Sequence, residues 1–222
     1  MTDARTLDGA EVRLLIGIPC YAGSTVHNTP ALINAVARHP RVDWQIRSSS
    51  LLTLNFNALW CEALNRRTAG LTHFLLLHAD VEPLDADWLE LLLAEMRAAR
   101  AEVLSAVVPI KNAEQQTSTA RDTDAWQPRR YTLEDIRQQP MTWTARDLLV
   151  NTGCLLVDMR RSWVERICFT INDRIERTPA GWEALAEPED WNFSRQCRRL
   201  NVPVFATRRL RIRHWGAGWW TT

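Results

Sequence analysis

The chain has 222 residues, 46% of them hydrophobic, and a formal net charge of +1, which is typical of one globular domain with a large buried core. This balance excludes an overall electrostatic attraction to nucleic acid, and no apolar run approaches the roughly 18 residues of a membrane-spanning helix. The five cysteines form no CxxC pair, which argues against a zinc site or a disulfide framework. The first residues lack an apolar signal segment, so we expect a cytoplasmic protein.

Strands and helices alternate in the first half of the chain. Short apolar runs predict strands at 13–19, 42–47, 73–79 and 102–110. Helical spacing and helix-start residues predict helices at 29–39 with Thr29 as the N-cap, at 54–66, and from Asp85 or Asp87 past Met96. This alternation predicts an α/β fold with a mostly parallel central sheet flanked by helices.

The second half of the chain is less regular. Residues 112–147 are polar, and we expect a long loop with a short helix near 132–138, a length typical of lids and binding loops. The remaining segments predict a strand at 148–158 that is interrupted by an Asn-Thr-Gly sequence, a helix from Ser162, a helix from Pro188 to Leu200, and a final strand at 202–215.

The most informative segment is LTHFLLLHADVEP at 71–83. Alternation along a strand places Leu76, His78 and Asp80 on one face, so the strand carries an imidazole and a carboxylate to its carboxyl end. Ligands bind there in open α/β sheets, and such side chains can hold a divalent cation against phosphate oxygens. The simpler interpretation is a strand that ends in polar solvent.

Two other segments have loop-like breaks after or within strands. Ile18-Pro19-Cys20-Tyr21, with Gly23 nearby, can present backbone groups and an aromatic ring to a nucleotide base, or it can be an ordinary loop between strand and helix. Asn151-Thr152-Gly153 includes a glycine that permits close backbone approach to a ligand, although a β-bulge explains it equally well.

The last quarter of the chain holds further candidates. Glu189 and Asp190 occupy a first helical turn, where the helix dipole favours acids, but Asp190 can also be a general base. In the final strand His214 shares a face with Ile212, while Arg213 lies on the other face. A single histidine of this kind is more often a core residue, and it becomes a ligand candidate only beside an acidic metal site.

Taken in order, these segments resemble the GT-A glycosyltransferases, closest to the family-2-like enzymes of bacteria and phages. The resemblance rests on IPCY, on HAD followed by VEP, on VNTGCLLVD, and on PEDW with a following strand that ends in RIRHWG. It covers about residues 13–216. One position departs from the family, because His78 stands where these enzymes usually have the first Asp of the metal motif.

The resemblance implies a single GT-A-like domain at 13–216, with a flexible N-terminus at 1–12, an acceptor-side loop at 112–147 and a C-terminal tail at 217–222. It implies metal-dependent transfer of a hexosyl or pentosyl group from a nucleotide-diphosphate sugar, UDP-sugars being favoured. The acceptor that it implies is a hydroxyl of a glycan or of a modified base in DNA. Mn²⁺ or Mg²⁺ would be bound by Asp80 and His214.

The same resemblance assigns roles to individual residues. Asp190 is the expected catalytic base, and Glu189 is the less favoured one. Acceptor contacts are expected from Trp126, Trp143 and Trp191. The residues expected to contact the donor are Pro19, Cys20, Tyr21, Asn57, His78, Asp80, Asn151, Thr152, Gly153 and Arg213.

Other functions remain open at the level of sequence. The arginines of the last thirty residues stand among Trp191, Trp215, Trp219 and Trp220, a combination used for single-stranded nucleic acid, although tryptophans also fill cores and dimer contacts. A non-catalytic nucleotide-sugar binding protein is the main alternative. A nucleotidyltransferase usually needs a glycine-rich phosphate loop that bears a lysine, which this chain lacks.

Overall fold

The computed structural model describes residues 6–7, 10–21, 25–216 and 219–221. In chain order the strands are β1 (Thr6–Leu7), β2 (Ala10–Glu11), β3 (Leu14–Tyr21), β4 (Val42–Ser49), β5 (His73–Leu77), β6 (Val81–Pro83), β7 (Val103–Ala106), β8 (Gln116–Arg121), β9 (Arg129–Thr132), β10 (Thr142–Trp143), β11 (Leu148–Leu149), β12 (Cys154–Asp158), β13 (Asn172–Thr178), β14 (Gly181–Glu187), β15 (Val204–Thr207), β16 (Ile212–Trp215) and β17 (Trp219–Thr221). The helices are α1 (Thr29–Arg38), α2 (Leu52–Arg66), α3 (Trp88–Ala98), α4 (Leu133–Arg137) and α5 (Glu189–Arg199), with 3₁₀ turns at Arg67–Ala69 and Ser162–Arg166.

A seven-stranded mixed sheet forms the centre of the molecule, in the order β10-β15-β7-β12-β5-β3-β4. The pairs β3–β4, β3–β5 and β7–β15 are parallel, whereas β12 runs antiparallel to both β5 and β7, and β10 runs antiparallel to β15. Five strands therefore share one direction, and the predicted α/β fold with a mostly parallel, helix-flanked sheet is confirmed.

Helices cover both faces of this sheet. Strands β5 and β12 are buried along their whole length, as continuous apolar runs predict for strands covered on both sides. One core cluster joins the sheet to α1 and α3. The other joins it to α2 and α5 through stacked and edge-on contacts of Phe56, Trp60, Phe169 and Phe193. The sheet is therefore packed against a hydrophobic core on each face.

A small sheet at this carboxyl edge brings the end of the chain back to β5. Strand β16 lies between β6 and β17 and pairs antiparallel with both, so that His214 lies opposite Val81. The backbone N–H of Trp215 also donates to the carbonyl oxygen of Asp80, at 2.8 Å. Residues separated by more than 130 positions in the sequence thereby meet at the end of β5.

The segment 112–147 differs from the single polar loop that we expected. It contains β8 and β9, which form a three-stranded sheet with β11, and it also contains α4 and β10. The short helix near 132–138 is present, and Thr132 and Asp135 form a reciprocal capping box at its start. Polar strands paired by backbone hydrogen bonds stand in place of the expected loop. The sequence did not reveal them, because β8 lacks the strict apolar alternation by which a strand is recognised.

Residues 159–215 also differ in part from the prediction. The expected helix from Ser162 is only a five-residue 3₁₀ turn, and an unpredicted hairpin of β13 and β14 follows it. Most residues of this hairpin are exposed, so it lacks the apolar signal by which strands are recognised. The expected strand at 202–215 is two strands, β15 and β16. Helix α5 begins at Glu189 after Pro188, as predicted.

Other boundaries lie within a few residues of the prediction, although the N-cap of α1 is Asn28 instead of Thr29. At the ends of the chain, β1 pairs with β2 and β17 pairs with β16. Residues 1–5, 8–9, 22–24, 217–218 and 222 lie outside the described residues, so the predicted flexibility of 1–12 stays a prediction. Among the helices that the structure describes, none has the length and apolar character needed to cross a bilayer.

Candidate functional site

Asp80 lies in the tight turn between β5 and β6, where the backbone N–H of Val81 donates to the carbonyl oxygen of His78. The Asp80 carboxylate accepts a hydrogen bond from the Lys111 ammonium and lies 3.4 Å from Nε2 of His214. Partial burial raises the pKa of Asp80, but the hydrogen bonds from His214 and Lys111 outweigh burial and hold the pKa well below its usual range. Asp80, Lys111 and His214 are called the Asp80 corner below.

The orientation of His214 suits a cation ligand. Its Nδ1 lies 2.6 Å from the carbonyl oxygen of Pro109. Because a carbonyl oxygen only accepts hydrogen bonds, Nδ1 carries a proton and donates it. Nε2 is the nitrogen that faces Asp80, and it would release the proton of its hydrogen bond to Asp80 when it binds a cation. A backbone carbonyl that orients a ligating imidazole in this way is the usual support of a histidine metal ligand.

The separation of the two candidate ligands is also compatible with a shared cation. Metal–ligand bonds of about 2.0–2.2 Å at a right angle place two ligand atoms about 3 Å apart, close to the 3.4 Å between Asp80 Oδ2 and His214 Nε2. Two features weigh against a complete protein site. Lys111 binds the same carboxylate oxygen, and the described residues contain no group of three or more His, Cys, Asp and Glu that could hold a metal.

Lys111 was not among the predicted site residues. It follows β7, whose carboxyl end lies at the same edge of the sheet as the end of β5, and its side chain is 34% exposed. Lys111 is the only lysine among the 27 Lys and Arg residues of the chain. The presence of a single lysine was a signal in the sequence, but no local sequence pattern connected this lysine with Asp80.

His78 links the Asp80 corner to the interior. Burial lowers the pKa of His78 to about 4, with Asp80 opposing the shift and His214 and Lys111 adding to it. Its ring lies against Phe56, and its Nε2 is 3.3 Å from the hydroxyl oxygen of Thr152. The same hydroxyl donates to Oε1 of Glu189 over 3.4 Å. A single hydroxyl group therefore lies between His78 and the first turn of α5.

Glu189 and Asp190, called the acid pair below, are buried in that first turn. Burial raises the pKa of Glu189, although the Thr152 hydroxyl opposes the shift. Burial and the neighbouring Glu189 raise the pKa of Asp190 to about 8, with Arg130 opposing the shift. Asp190 Oδ1 accepts a hydrogen bond from the Trp191 backbone N–H at 2.7 Å. A carboxyl that holds its proton near neutral pH is suited to acid–base chemistry.

Trp191 and Arg130 pack beside the acid pair. The Arg130 guanidinium lies 4.7 Å from the centre of the Trp191 ring, and Trp191 is only 6% exposed. Arg130 is the second site residue that the sequence did not reveal, since it lies on β9 within the segment that we expected to be a loop. The predicted acceptor contact of Trp191 requires a ring face that Arg130 already covers.

The predicted donor loop lies at the end of β3. Tyr21 is 63% exposed, whereas Cys20 is buried and its carbonyl oxygen accepts a hydrogen bond from Asn55 at 3.1 Å. The carbonyl oxygen of Pro19 accepts from the backbone N–H of Ala79 at 3.4 Å, which ties this loop to the turn that carries Asp80. Gly23 lies outside the described residues. Among the described residues of this loop, Tyr21 is therefore the group that is available to a base.

The Asn-Thr-Gly break precedes β12 and is shaped by internal contacts. Asn151 donates to the carbonyl oxygen of Ala106 at 2.8 Å, and its side-chain oxygen accepts from the backbone N–H of Gly153 at 3.0 Å. A Cβ atom at Gly153 would lie within 3.3 Å of Asn151 and of two valine side chains. Close packing inside the protein therefore accounts for the asparagine and the glycine, and only Thr152 reaches the candidate site.

Three further predicted contacts receive other roles. The amide of Asn57 is bound on both sides by the backbone of Phe169, with both distances 2.8 Å, so it is unavailable to a donor. Trp143 is a core residue packed edge-on against Tyr131, which corrects its prediction as an acceptor contact. Trp126 is partly buried beneath Arg174 of the hairpin, with the guanidinium 4.7 Å from its ring centre.

Arg213 lies near the Asp80 corner but is held by its own neighbours. Its guanidinium is 3.5 Å from Glu82 and 5.2 Å from the centre of the Trp215 ring. The Trp215 ring also stacks on His27, with a centroid distance of 4.8 Å. These contacts place Arg213 and Trp215 in a packed layer beside the corner, a weak arrangement for stacking nucleic-acid bases.

Neither protein-family models nor the curated proteins match the sequence. Among solved structures, the STIV protein A197 aligns with a TM-score of 0.57 at 15% identity, over 92% of this chain and 86% of the other. An apo UDP-glucose pyrophosphorylase aligns with a TM-score of 0.40 at 8% identity, over 86% and 65%. A mutant UDP-glucose pyrophosphorylase from Leishmania major, in complex with UDP-glucose, aligns with a TM-score of 0.36 at 11% identity, over 83% and 50%.

These similarities bear on the fold alone. The TM-score with the STIV protein shows that the two chains share an overall fold across nearly their whole lengths. The two pyrophosphorylase alignments are too distant to support an argument about this chain. The comparisons therefore leave the chain as an α/β protein with the fold of A197, and its function rests on the geometry described above.

Proposed function

We propose that the protein is a GT-A-type glycosyltransferase that moves a sugar from a nucleotide-diphosphate sugar, preferably a UDP-sugar, to a hydroxyl acceptor. One observation carries the proposal. A carboxylate surrounded by cationic groups and a carboxyl that retains its proton lie near the same edge of the sheet, joined through His78 and Thr152. The first group is suited to binding a charged leaving group, and the second is suited to proton transfer.

The Asp80 corner is the proposed donor side. Asp80 and His214 would hold Mn²⁺ or Mg²⁺, and the ion would stabilise the charge on the departing nucleoside diphosphate. The imidazole and carboxylate offer two ligands, so phosphate oxygens and water would complete the coordination. Lys111 adds a positive charge at the same place, and exposed Tyr21 offers a ring to the nucleotide base.

The acid pair is the proposed acceptor side. The ionised form of Asp190 would accept the proton of the attacking hydroxyl. Its raised pKa makes this carboxylate a stronger base, and proton transfer is most efficient when the base titrates near the working pH. Glu189 is the less favoured base, since its carboxylate already receives the Thr152 hydroxyl. The small sheet of β8, β9 and β11 would form the wall for a glycan or a modified base, with Trp126 as its remaining aromatic contact.

Nucleotide binding and sugar release test the proposal directly. Binding of UDP is measured by calorimetry with Mn²⁺ and with EDTA, and release of nucleoside diphosphate is then measured from UDP-, GDP- and dTDP-sugars. We expect metal-dependent UDP binding and slow release from at least one UDP-sugar. Lack of binding to every nucleoside diphosphate tested would refute the proposal.

The main alternative is a nucleotide-sugar binding protein without catalysis. It predicts binding that equals that of the wild type in the Asp190→Asn variant, together with no release from any donor in either protein. Single-stranded nucleic-acid binding is less favoured, because Arg130 covers Trp191 and His27 stacks on Trp215. An oligonucleotide that bound as tightly as UDP would reverse that preference.

A further inference from the structure

We propose that Lys111 is a built-in counter-ion of Asp80, that an entering divalent cation displaces it, and that the displaced ammonium then binds the donor diphosphate. The inference rests on the proposed function and names a residue that neither the family resemblance nor the metal motif assigns. It begins from one contact, in which the only lysine of the chain binds the carboxylate expected to bind the metal.

The ammonium and the metal would compete for the same atom. Lys111 Nζ binds Oδ2 of Asp80, and this same oxygen is the one that lies 3.4 Å from His214 Nε2. A cation held between Asp80 and His214 would therefore lie within a few ångströms of the ammonium, where two positive charges repel each other. Binding of the metal requires the lysine side chain to leave.

The chain permits that movement without disturbing the rest of the corner. The Lys111 side chain is 34% exposed and has a flexible four-carbon stem. Its backbone stays close to the site, because the carbonyl oxygen of Pro109 is bound by His214 and the Asn112 backbone N–H closes a tight turn onto Ile110 at 2.9 Å. The displaced ammonium would remain within reach of anything bound at Asp80.

Charge explains where the ammonium would go. Asp80 and Lys111 cancel each other in the free protein, so the corner offers little attraction for an anion. Once a divalent cation neutralises Asp80, the ammonium becomes available for charge-assisted hydrogen bonds to phosphate oxygens. Arg213 is less suited to this task, because Glu82 and Trp215 already hold its guanidinium.

Opposite effects on two affinities distinguish this mechanism from a simple salt bridge. Removing the ammonium removes a competitor of the metal, so Lys111→Met should bind Mg²⁺ or Mn²⁺ alone about two- to fivefold more tightly, which is the range expected for a partly exposed ion pair. The same variant should bind UDP in saturating metal about tenfold or more weakly, since a charged hydrogen bond to phosphate is lost.

Calorimetry on the full chain measures both affinities. Lys111→Arg should restore much of the UDP affinity, because it keeps the positive charge. Arg211→Met is the matched control: it removes an exposed cation that pairs with Asp85 and should change neither affinity. Two unchanged affinities in Lys111→Met, or two affinities that change in the same direction, would overturn the proposal.

Nuclear magnetic resonance can follow the displacement in the wild-type protein. Because Lys111 is the only lysine, a chain labelled with ¹³C-lysine gives a single lysine side-chain spin system. We expect Mg²⁺ alone to shift the Lys111 methylene signals next to the nitrogen, and UDP to shift them again. In Asp80→Asn the response to Mg²⁺ alone should disappear.

This measurement also distinguishes failure of the proposed function from failure of the counter-ion role of Lys111. If wild-type protein binds neither Mg²⁺ nor UDP, the proposed function fails and the inference fails with it. If both ligands bind while the Lys111 signals stay unchanged, the function survives and the counter-ion proposal is wrong.

Discussion

The Asp80 corner and the acid pair lie near the same edge of the central sheet and differ in what surrounds their carboxyl groups. Asp80 is partly exposed and receives hydrogen bonds from Lys111 and His214, so its pKa lies below the usual range. Asp190 is buried beside Glu189, and its pKa lies above that range. Aspartate thus carries a fixed negative charge in the Asp80 corner and a transferable proton in the acid pair.

The difference shows that neighbouring groups, more than position on the sheet, decide the chemistry of an acid. Cations stabilise the ionised form, whereas burial and a second acid stabilise the protonated form. The Thr152 hydroxyl is the only side-chain group seen, among the described residues, to hydrogen-bond both His78 and Glu189. Variants of the two centres and of this link therefore test whether the surrounding groups set the protonation of each acid.

The largest effect is expected from Asp190→Asn. If Asp190 is the base, its loss should reduce release of UDP from a UDP-sugar by at least about a hundredfold, the low end of the contribution of a general base. Calorimetric UDP affinity should stay within about twofold, because the donor side is untouched. Glu189→Gln is the control, with a smaller loss expected. Near-normal turnover in Asp190→Asn would exclude this role.

The same variant should change how stability depends on pH. An unfolded aspartate ionises near pH 4, whereas burial raises the pKa of Asp190 in the folded protein to about 8. The unfolded state therefore releases this proton first as pH rises, and the stability from the protonated carboxyl is complete below about pH 4 and lost as pH rises through the folded pKa.

Asp190→Asn should therefore be more stable than the wild type at pH 8 by at least about 1 kcal/mol, and the difference should shrink toward pH 4. Denaturant unfolding at several pH values measures it. Asp173→Asn, on the exposed hairpin, is the control and should follow the wild-type profile. A difference of the same size at pH 4 and pH 8 would contradict the raised pKa.

Asp80→Asn tests the other centre. The amide keeps the shape but loses the charge that holds the cation, so affinity for Mn²⁺ and for UDP in the presence of Mn²⁺ should fall at least about tenfold. The melting temperature should change little, since the side chain is partly exposed. Asp85→Asn removes another ion-paired aspartate, the partner of Arg211, and should leave both affinities intact. Unchanged binding in Asp80→Asn would move the donor site elsewhere.

The smallest effect is expected from Thr152→Val, which removes the hydroxyl between the two centres. Loss of the hydrogen bond to Glu189 should raise the pKa of Glu189 further and reduce turnover about two- to tenfold, the range for one neutral hydrogen bond. The pH–rate profile should shift toward lower pH, because a Glu189 that keeps its proton no longer raises the pKa of Asp190. Thr119→Val, at a buried hydroxyl for which the described residues provide no hydrogen-bond partner, is the matched control.

The local predictions succeeded where a segment carries its own signal. The apolar runs of β3 and β5 and the acids after Pro188 at the start of α5 lie where the sequence places them. The hairpin of β13 and β14 escaped prediction, because its stability comes from pairing across strands and not from an apolar pattern. The same holds for β8 and β9.

Some side-chain positions could also be predicted from the local sequence, whereas others depended on distant parts of the chain. The sequence placed Asp80 at the end of a strand, and the return of β16 brings His214 Nε2 to 3.4 Å from the Asp80 carboxylate. Nothing local revealed that Asn57 binds the backbone of Phe169, 112 residues away. The burial of Trp143 in the core was equally hidden, because an aromatic residue in a polar segment can pack inward or remain exposed.

Local patterns in the sequence specify the alternation of strands and helices, and therefore the α/β class and the sheet edge at which polar residues collect. Periodicity and helix-start residues act over a few positions and can be seen along the chain. The charge of each centre, in contrast, depends on contacts that form only when the chain folds. Lys111 reaches Asp80 from 31 positions away, and Glu189 and Asp190 become buried only when α5 packs on the sheet. Protonation depends on such distant neighbours and on burial, and neither is a property of a local segment.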